Sequence, residues 1–235
     1  MSAIKGHQDL QYEAFLANKA LNATGLIKFS FGNASVADRS SERIAVKPSG
    51  VSYDKLTPAD MVVLDFEGNI VGGALRPSTD TPTHLLILRH FANANSVIHT
   101  HSPMATAFAQ AGVPLKCFGT THADYFSSDI PVTRALSATE IESAYEHNTG
   151  IAIIEAFESV DAFSTPAVLV KSHGPFTWGE NWRKAIENAE ALEFCAGIAI
   201  STLSLDPGLS RIPLILHQKH HMRKNGPNAY YGQST

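Results

Sequence analysis

The chain has 235 residues, a formal charge of −4 and 44% hydrophobic residues, with 17% charged. That length sustains one well-cored domain without requiring a second, and the slight acidity argues against nucleic acid as the main partner, since phosphate recognition wants a basic face. Residues 1–9 lack the apolar core of a signal peptide and no apolar run reaches membrane-spanning length; Cys117 and Cys195, far apart and flanked by apolar or small residues, are expected as free thiols in a reducing cytoplasm.

Residues 9–21 read as an amphipathic helix, with Leu10, Ala14, Leu16 or Ala17 and Leu21 available for one face and Thr24-Gly25 closing it. Residues 27–37 read as a strand interrupted by Gly32-Asn33, and 44–47 as a second strand ended by Pro48-Ser49-Gly50. Residues 61–65 and 69–71 flank Phe66-Glu67-Gly68, a hairpin signal with glycine in the turn. Residues 76–80 form a polar loop, and Thr81-Pro82 opens a helix over 83–91, since proline suits a first turn. A strand over 96–101 runs straight into a helix from Ser102-Pro103 to about Ala111. Ser137-Ala138-Thr139-Glu140 is a capping box that starts a helix ending near Thr149-Gly150. Residues 167–171 are a strand delivering Ser172-His173-Gly174-Pro175. A long Ala-rich helix over 182–203 has Leu192, Phe194 and Ile198 for its buried side, and a last helix covers 209–224 before a tail over 228–233. Strands both adjacent and separated by helices predict an α/β domain spanning 1–235, with helices on the faces of a mixed or largely antiparallel sheet. No Gly-x-Gly-x-x-Gly joins a strand to a helix, so a dinucleotide fold is not expected.

Val97-Ile98-His99-Thr100-His101-Ser102 carries the first chemical signal. On a strand, residues i and i+2 point to the same face, so both imidazoles can reach one point, and imidazole is the commonest protein metal ligand. His173, at another strand end, is the natural third ligand. Three neutral histidines with an open position describe a catalytic rather than a structural zinc site. Asp80 is placed to add a carboxylate, although an Asp before Thr-Pro is also a good N-cap. A lone His173 reads equally as a turn residue bonded to backbone; the three histidines together point to a metal.

Gly32-Asn33, Ser49-Gly50 and Ser78-Thr79 offer unhindered backbone N–H groups with hydroxyl and amide donors, and Lys47 adds positive charge. Such concave arrays hold phosphate, although glycine and serine also simply mark turns. Thr120 to Tyr125 is a polar loop that places Asp124 as a candidate acid/base, or as a turn cap. Tyr231 is either a surface aromatic or a proton donor. His220 and His221 sit on the last helix, His220 being the better candidate for a place near the site.

These residues fall in an ordered series: Gly32-Asn33-Ala34-Ser35, Lys47-Pro48-Ser49-Gly50-Val51, Pro77-Ser78-Thr79-Asp80-Thr81-Pro82-Thr83-His84, His99-Thr100-His101-Ser102, Gly119-Thr120-Thr121-His122-Ala123-Asp124-Tyr125, Ser172-His173-Gly174-Pro175 and Ala229-Tyr230-Tyr231-Gly232-Gln233. The series resembles the class II aldolase/adducin family, specifically its L-ribulose-5-phosphate 4-epimerase branch, over essentially the whole chain. The resemblance implies a three-layer α/β/α domain with a central, mainly antiparallel sheet, assembled as a C4 homotetramer with sites at subunit interfaces. It implies one Zn2+ per subunit, replaceable by Mn2+ or Co2+, held by His99, His101, His173 and Asp80. Gly32, Asn33, Ser49, Gly50, Ser78 and Thr79, with Lys47 close by, would hold the phosphate of a pentulose phosphate. Asp124 and Tyr231, from an adjacent subunit, would be the acid/base pair. The branch usually has Ser-Ser where this chain has Ser78-Thr79; threonine keeps the hydroxyl and adds a methyl.

Two other readings share the scaffold. A fuculose-phosphate type aldolase would let its aldehyde product leave, and such aldolases tend to carry Glu where this chain has Asp80. A non-catalytic adducin-like interaction module would have no need of His99, His101 and His173.

Overall fold

In the computed structural model, which describes residues 6–232, α1 (His7–Ala23) precedes β1 (Asn33–Asp38), β2 (Arg43–Val46), β3 (Val62–Asp65) and β4 (Ile70–Gly72). Then follow α2 (Thr81–His90), β5 (Ser96–His99), α3 (Pro103–Ala111), α4 (Thr120–Tyr125) and α5 (Ala138–Glu155). The chain closes with β6 (Ala167–Leu169), β7 (Pro175–Gly179), α6 (Trp182–Leu205) and α7 (Leu214–Asn225). The strands form one sheet in the order β4-β3-β2-β1-β5-β7-β6, every neighbouring pair antiparallel. This is the expected α/β architecture with an antiparallel centre. Gln233 of the tail motif lies outside the described residues.

Period-two alternation decides which helix covers which face. Ala34, Val36, Ala45, Val63 and Ile98 point to a core shared with Leu10, Ala14, Ala17 and Leu21 of α1 and with Ala185, Ile186 and Ala189 of α6. Ile44, Val46, Val62, Leu64 and Val97 point the other way, against Leu85, Ile87 and Leu88 of α2 and Ile153 of α5. Helices thus cover both faces, as the three-layer expectation requires. Burying each of these Leu, Ile or Val side chains stabilises by about 1.5–3 kcal/mol.

Several elements depart from the sequence reading, each for a local reason. The strand expected over 27–37 begins only at Asn33, because residues 28–31 close a tight turn and Gly32 takes φ 105°. The 120–125 loop is a short helix, α4, whose His122 and Ala123 are buried and whose turns pack on α7. Helix α5 has its Ser137/Glu140 capping box but runs past Gly150 to Glu155. Gly150 serves packing rather than termination, since a Cβ there would lie 2.6 Å from Leu86 Cδ1 of α2. Strand β7 was not foreseen; its five residues are buried without exception, so it shows no alternation to read.

On α6 the expected face is wrong. Leu192 is buried, but Phe194 and Ile198 are exposed, and Ala185, Ala189, Cys195, Ala196 and Ala199 are buried instead. Small side chains let this helix lie close to the sheet, and they outweigh side-chain size as a guide to its inner side. Helix α7 starts at Leu214 rather than 209, because Pro213 holds the chain extended before it. Cys117 and Cys195 are buried free thiols, as expected. Among the described residues no helix is long and apolar enough to cross a membrane.

Candidate metal centre and active site

Strand β5 ends at His99, and His101 follows in the connection to α3. The chain stays extended enough that the two Nε2 atoms lie 3.1 Å apart. Beyond β6, a hairpin with Ser172 at φ 63° returns His173 to the same point. Ring centroids are 4.9 Å apart for His99 and His101, 4.6 Å for His99 and His173, and 5.0 Å for His101 and His173. One ring nitrogen from each lies within 4.8 Å of the others.

This donor set fits a divalent metal. With its hydrogen assigned to Nδ1, His99 donates to the Pro175 carbonyl at 3.0 Å, which leaves Nε2 free as a ligand. Phe176 stacks beneath the ring at 4.2 Å and 18°. Burial pushes His99 down to about 3, although Asp80 pulls the other way; burial likewise lowers His101 and His173. All three are therefore neutral at physiological pH, the form that binds metal. The Tyr145 hydroxyl lies 3.4 Å from His173 Nδ1, a contact the sequence did not signal.

Asp80 lines the same cleft beside the nitrogen cluster. It precedes α2 but makes no side-chain cap; its carboxylate instead accepts from Asn33 Nδ2 at 2.8 Å and from Ser78 Oγ at 3.4 Å. Burial would raise its pKa, but His99, His84 and the Asn33 hydrogen bond outweigh burial and lower it. His84, one turn along α2, is fully buried; burial holds it near 4, and its Nδ1 is 2.8 Å from Ser35 Oγ.

The cleft has a volume of about 400 Å³, and Gly32, Asn33, Lys47, Ser49, Gly50, Ser78 and Thr79 all line it together with Asp80 and the three histidines. Two backbone hydrogen bonds tie its loops together, Ser78 N–H to the Lys47 carbonyl at 2.9 Å and Ser49 N–H to the Arg76 carbonyl at 3.0 Å, so these two N–H groups are not among the free donors expected from the sequence. Lys47 is buried, with its ammonium 4.9 Å from the Tyr53 ring, and burial lowers its pKa. A candidate metal-ligand cluster sharing one cleft with small polar groups and a buried lysine suits a short phosphorylated polyol. A larger cavity of about 550 Å³, with Trp178 in its lining, shares no lining residue with this cleft, and among the described residues it gathers no metal-ligand cluster.

Asp124 and Tyr231 do not line the cleft of their own chain. They meet elsewhere, around Arg223 of α7. The guanidinium carbon lies 4.9 Å from the Tyr231 ring, and Tyr231 N–H donates to the Arg223 carbonyl at 3.1 Å. His220 Nδ1 lies 3.2 Å from Asp124 Oδ1, so that histidine does adjoin the candidate acid/base; His221 instead faces the Ala123 carbonyl.

Comparison with known proteins fits this geometry. The model of the Class II Aldolase and Adducin N-terminal domain matches residues 13–200. The chain belongs to the class II aldolase/adducin family. It is 47% identical over 226 residues to proteins named L-ribulose-5-phosphate 4-epimerase UlaF from Salmonella paratyphi A and Salmonella typhi, covering 96% of this chain and 99% of each relative. Among solved structures, an L-fuculose 1-phosphate aldolase superposes with a TM-score of 0.74 at 27% identity, covering 93% of this chain and 98% of that one. Class II aldolases are metal-dependent, and the His99–His101–His173 group is this chain's candidate for the metal.

Proposed function

We propose that the chain is a metal-dependent epimerase, active as one domain over its whole length, that interconverts L-ribulose 5-phosphate and D-xylulose 5-phosphate. The observation that carries this reading is that three clustered histidines, Asp80 and a set of small polar residues line one cleft. Extensive identity to proteins bearing the epimerase name supports the choice of substrate.

The inverted carbon, C4, is not α to the C2 carbonyl, so its C–H is not acidic and simple deprotonation fails. Breaking the C3–C4 bond succeeds: the C4 hydroxyl proton goes to a base, and the bonding pair moves toward C2 to give a three-carbon enediolate and glycolaldehyde phosphate. Turning the aldehyde over and re-forming the bond inverts C4. Zinc, the metal that three imidazoles favour, would supply Lewis-acid stabilisation of the negative charge of the enediolate. His99, His101 and His173 would hold it, with Asp80 as the added carboxylate. Asn33, Ser49, Gly50, Ser78 and Thr79, backed by Lys47, keep the phosphate fixed while the aldehyde rotates. A proton leaves on one face and returns on the other, which calls for two acid/base groups, Asp124 and Tyr231.

Because those two lie apart from the cleft of their own chain, a neighbouring subunit supplies them, in a cytoplasmic homotetramer with sites between subunits. Incubating the zinc-loaded protein with L-ribulose 5-phosphate tests the reading. D-xylulose 5-phosphate without free glycolaldehyde phosphate supports it. Released aldehyde, or cleavage of L-fuculose 1-phosphate alone, moves the assignment to the aldolase reading that the 27%-identical structure favours.

A further inference from the structure

The metal cleft is lined mostly by polar and small residues, with Pro48 and Phe31 as its apolar side chains. Phe31 is the single aromatic hydrocarbon side chain lining it. Its ring stacks on His101 at 5.5 Å and 30°, yet 55% of the residue stays exposed. Phe29, 90% exposed, props it edge-on at 6.1 Å and 80°. Within the single chain these two large apolar side chains lack the stabilisation that burial would bring, and Phe29 also takes φ 57°, a left-handed conformation that side chains other than glycine rarely adopt. The fold gains nothing visible from this arrangement.

The turn that presents Phe31 is fixed to the metal-binding strand. Phe31 N–H donates to the Lys28 carbonyl at 3.1 Å, and Tyr53 Oη donates to the Gly32 carbonyl at 2.9 Å. At Gly32 a Cβ would come within 2.7 Å of the His99 carbonyl oxygen, so the backbone next to Phe31 lies directly against β5. The backbone that carries Phe31 is therefore held against the strand that carries His99, and Asn33 of the anion cradle is only two residues away.

We propose that Phe31 is a specificity-determining residue that decides the fate of the cleaved aldehyde, an inference that rests on the epimerase reading above. After C3–C4 cleavage, glycolaldehyde phosphate either re-adds or escapes. Re-addition returns the bonding pair from the enediolate to the aldehyde carbon and gives the epimer. Escape lets water protonate the enediolate at C3, leaving dihydroxyacetone and free glycolaldehyde phosphate. An apolar ring at the lip of the cleft offers no hydrogen bond to a departing hydrated aldehyde and keeps water off the enediolate, so it favours re-addition.

The test compares F31A, F31L and F31W with the unaltered protein on L-ribulose 5-phosphate in D2O. Both products are followed, with deuterium in dihydroxyacetone as a second readout and bound zinc and circular dichroism as controls. F31A is expected to raise aldehyde release relative to epimerisation by about tenfold or more, with one deuterium at the former C3 and zinc content unchanged. F31W is expected to retain the closed partition. An unchanged ratio in F31A, or both rates falling together, overturns the proposal; should F31A not fold, F31L is judged by the same ratio. Absence of D-xylulose 5-phosphate from the unaltered protein overturns the epimerase reading instead, so the two failures are distinct.

Discussion

Arg223 grips Asp124 with two parallel hydrogen bonds, Nε to Oδ1 at 3.0 Å and Nη2 to Oδ2 at 2.8 Å. Partial burial would raise the Asp124 pKa, but Arg223, joined by His220, outweighs it and holds the carboxyl below its usual range. Asp124 is thus ionised, and able to accept a proton, down to unusually low pH. R223Q should remove the dominant stabiliser of the carboxylate, raise its pKa, and move the acidic limb of the kcat–pH profile to higher pH. A fall in kcat of about ten- to a hundredfold should accompany this, since the carboxylate also loses its orientation. An unmoved acidic limb in R223Q would mean that Asp124 is not the titrating base.

The reach of the sequence was uneven, in a way the residues explain. His99, His101, His173, Asp80 and the small residues at 32–33, 49–50 and 78–79 stand out in the sequence as short motifs, and the fold brings those motifs to line one cleft, whereas Asp124 and Tyr231 do not line it. Arg223 was invisible: it lies 99 residues from Asp124 in sequence, and an arginine on an exposed helix carries no mark of its partner. Phe31 stands just before the Gly32-Asn33 interruption of what reads as a strand over 27–37, and the structure instead closes a turn at 28–31 there. On α6 the larger residues Phe194 and Ile198 suggested the wrong face, because close packing on a sheet selects alanine rather than bulk.

Metal binding should stabilise the folded chain by mass action, by about 4 kcal/mol when free ion exceeds Kd a thousandfold. Treatment with a chelator is therefore expected to lower Tm and abolish turnover, and zinc to restore both. H173A should retain the fold, lose the zinc-dependent rise in Tm, and bind zinc at least about a hundredfold more weakly, as loss of one of three imidazoles implies. Differential scanning fluorimetry with and without zinc reads this directly. A zinc-dependent shift in H173A equal to that of the unaltered protein would remove His173 from the ligand set.

Gly32 occupies the point where the turn before β1 lies against β5. At φ 105° an L side chain is strained, and its Cβ would sit 2.5 Å from Ile27 Cδ1 and 2.7 Å from the His99 carbonyl oxygen. The isoleucine tip can turn aside, but the backbone oxygen cannot, so β1 and β5 must part. G32A should destabilise the protein by about 2–4 kcal/mol, measured as a lower urea midpoint with an unchanged slope. It should also weaken zinc binding, because the displaced strand carries His99.

Asn18 is a polar residue fully buried in the α1 face of the core, and its amide completes the end of β1. Its Nδ2 donates to the Ala34 carbonyl at 2.9 Å and to the Ala14 carbonyl at 2.8 Å, while Ala34 N–H donates to its Oδ1 at 2.9 Å. The pair of bonds to Ala34 imitates a strand partner and fixes the backbone next to Asn33, whose amide donates to Ser78 and Asp80 in the cleft. Truncation to alanine leaves the Ala34 N–H and carbonyl buried without a partner, at about 1–3 kcal/mol for each orphaned group. N18A should therefore lose about 2–4 kcal/mol of stability by urea unfolding. In the fraction that remains folded, the looser Asn33 should raise KM for the sugar phosphate more than it lowers kcat, and zinc binding should weaken less than in H173A, because Asn33 also holds Asp80 while the three histidines stand on other elements. A fall in kcat with KM unchanged would mean that the Asn18–Ala34 link serves the chemical step rather than phosphate binding.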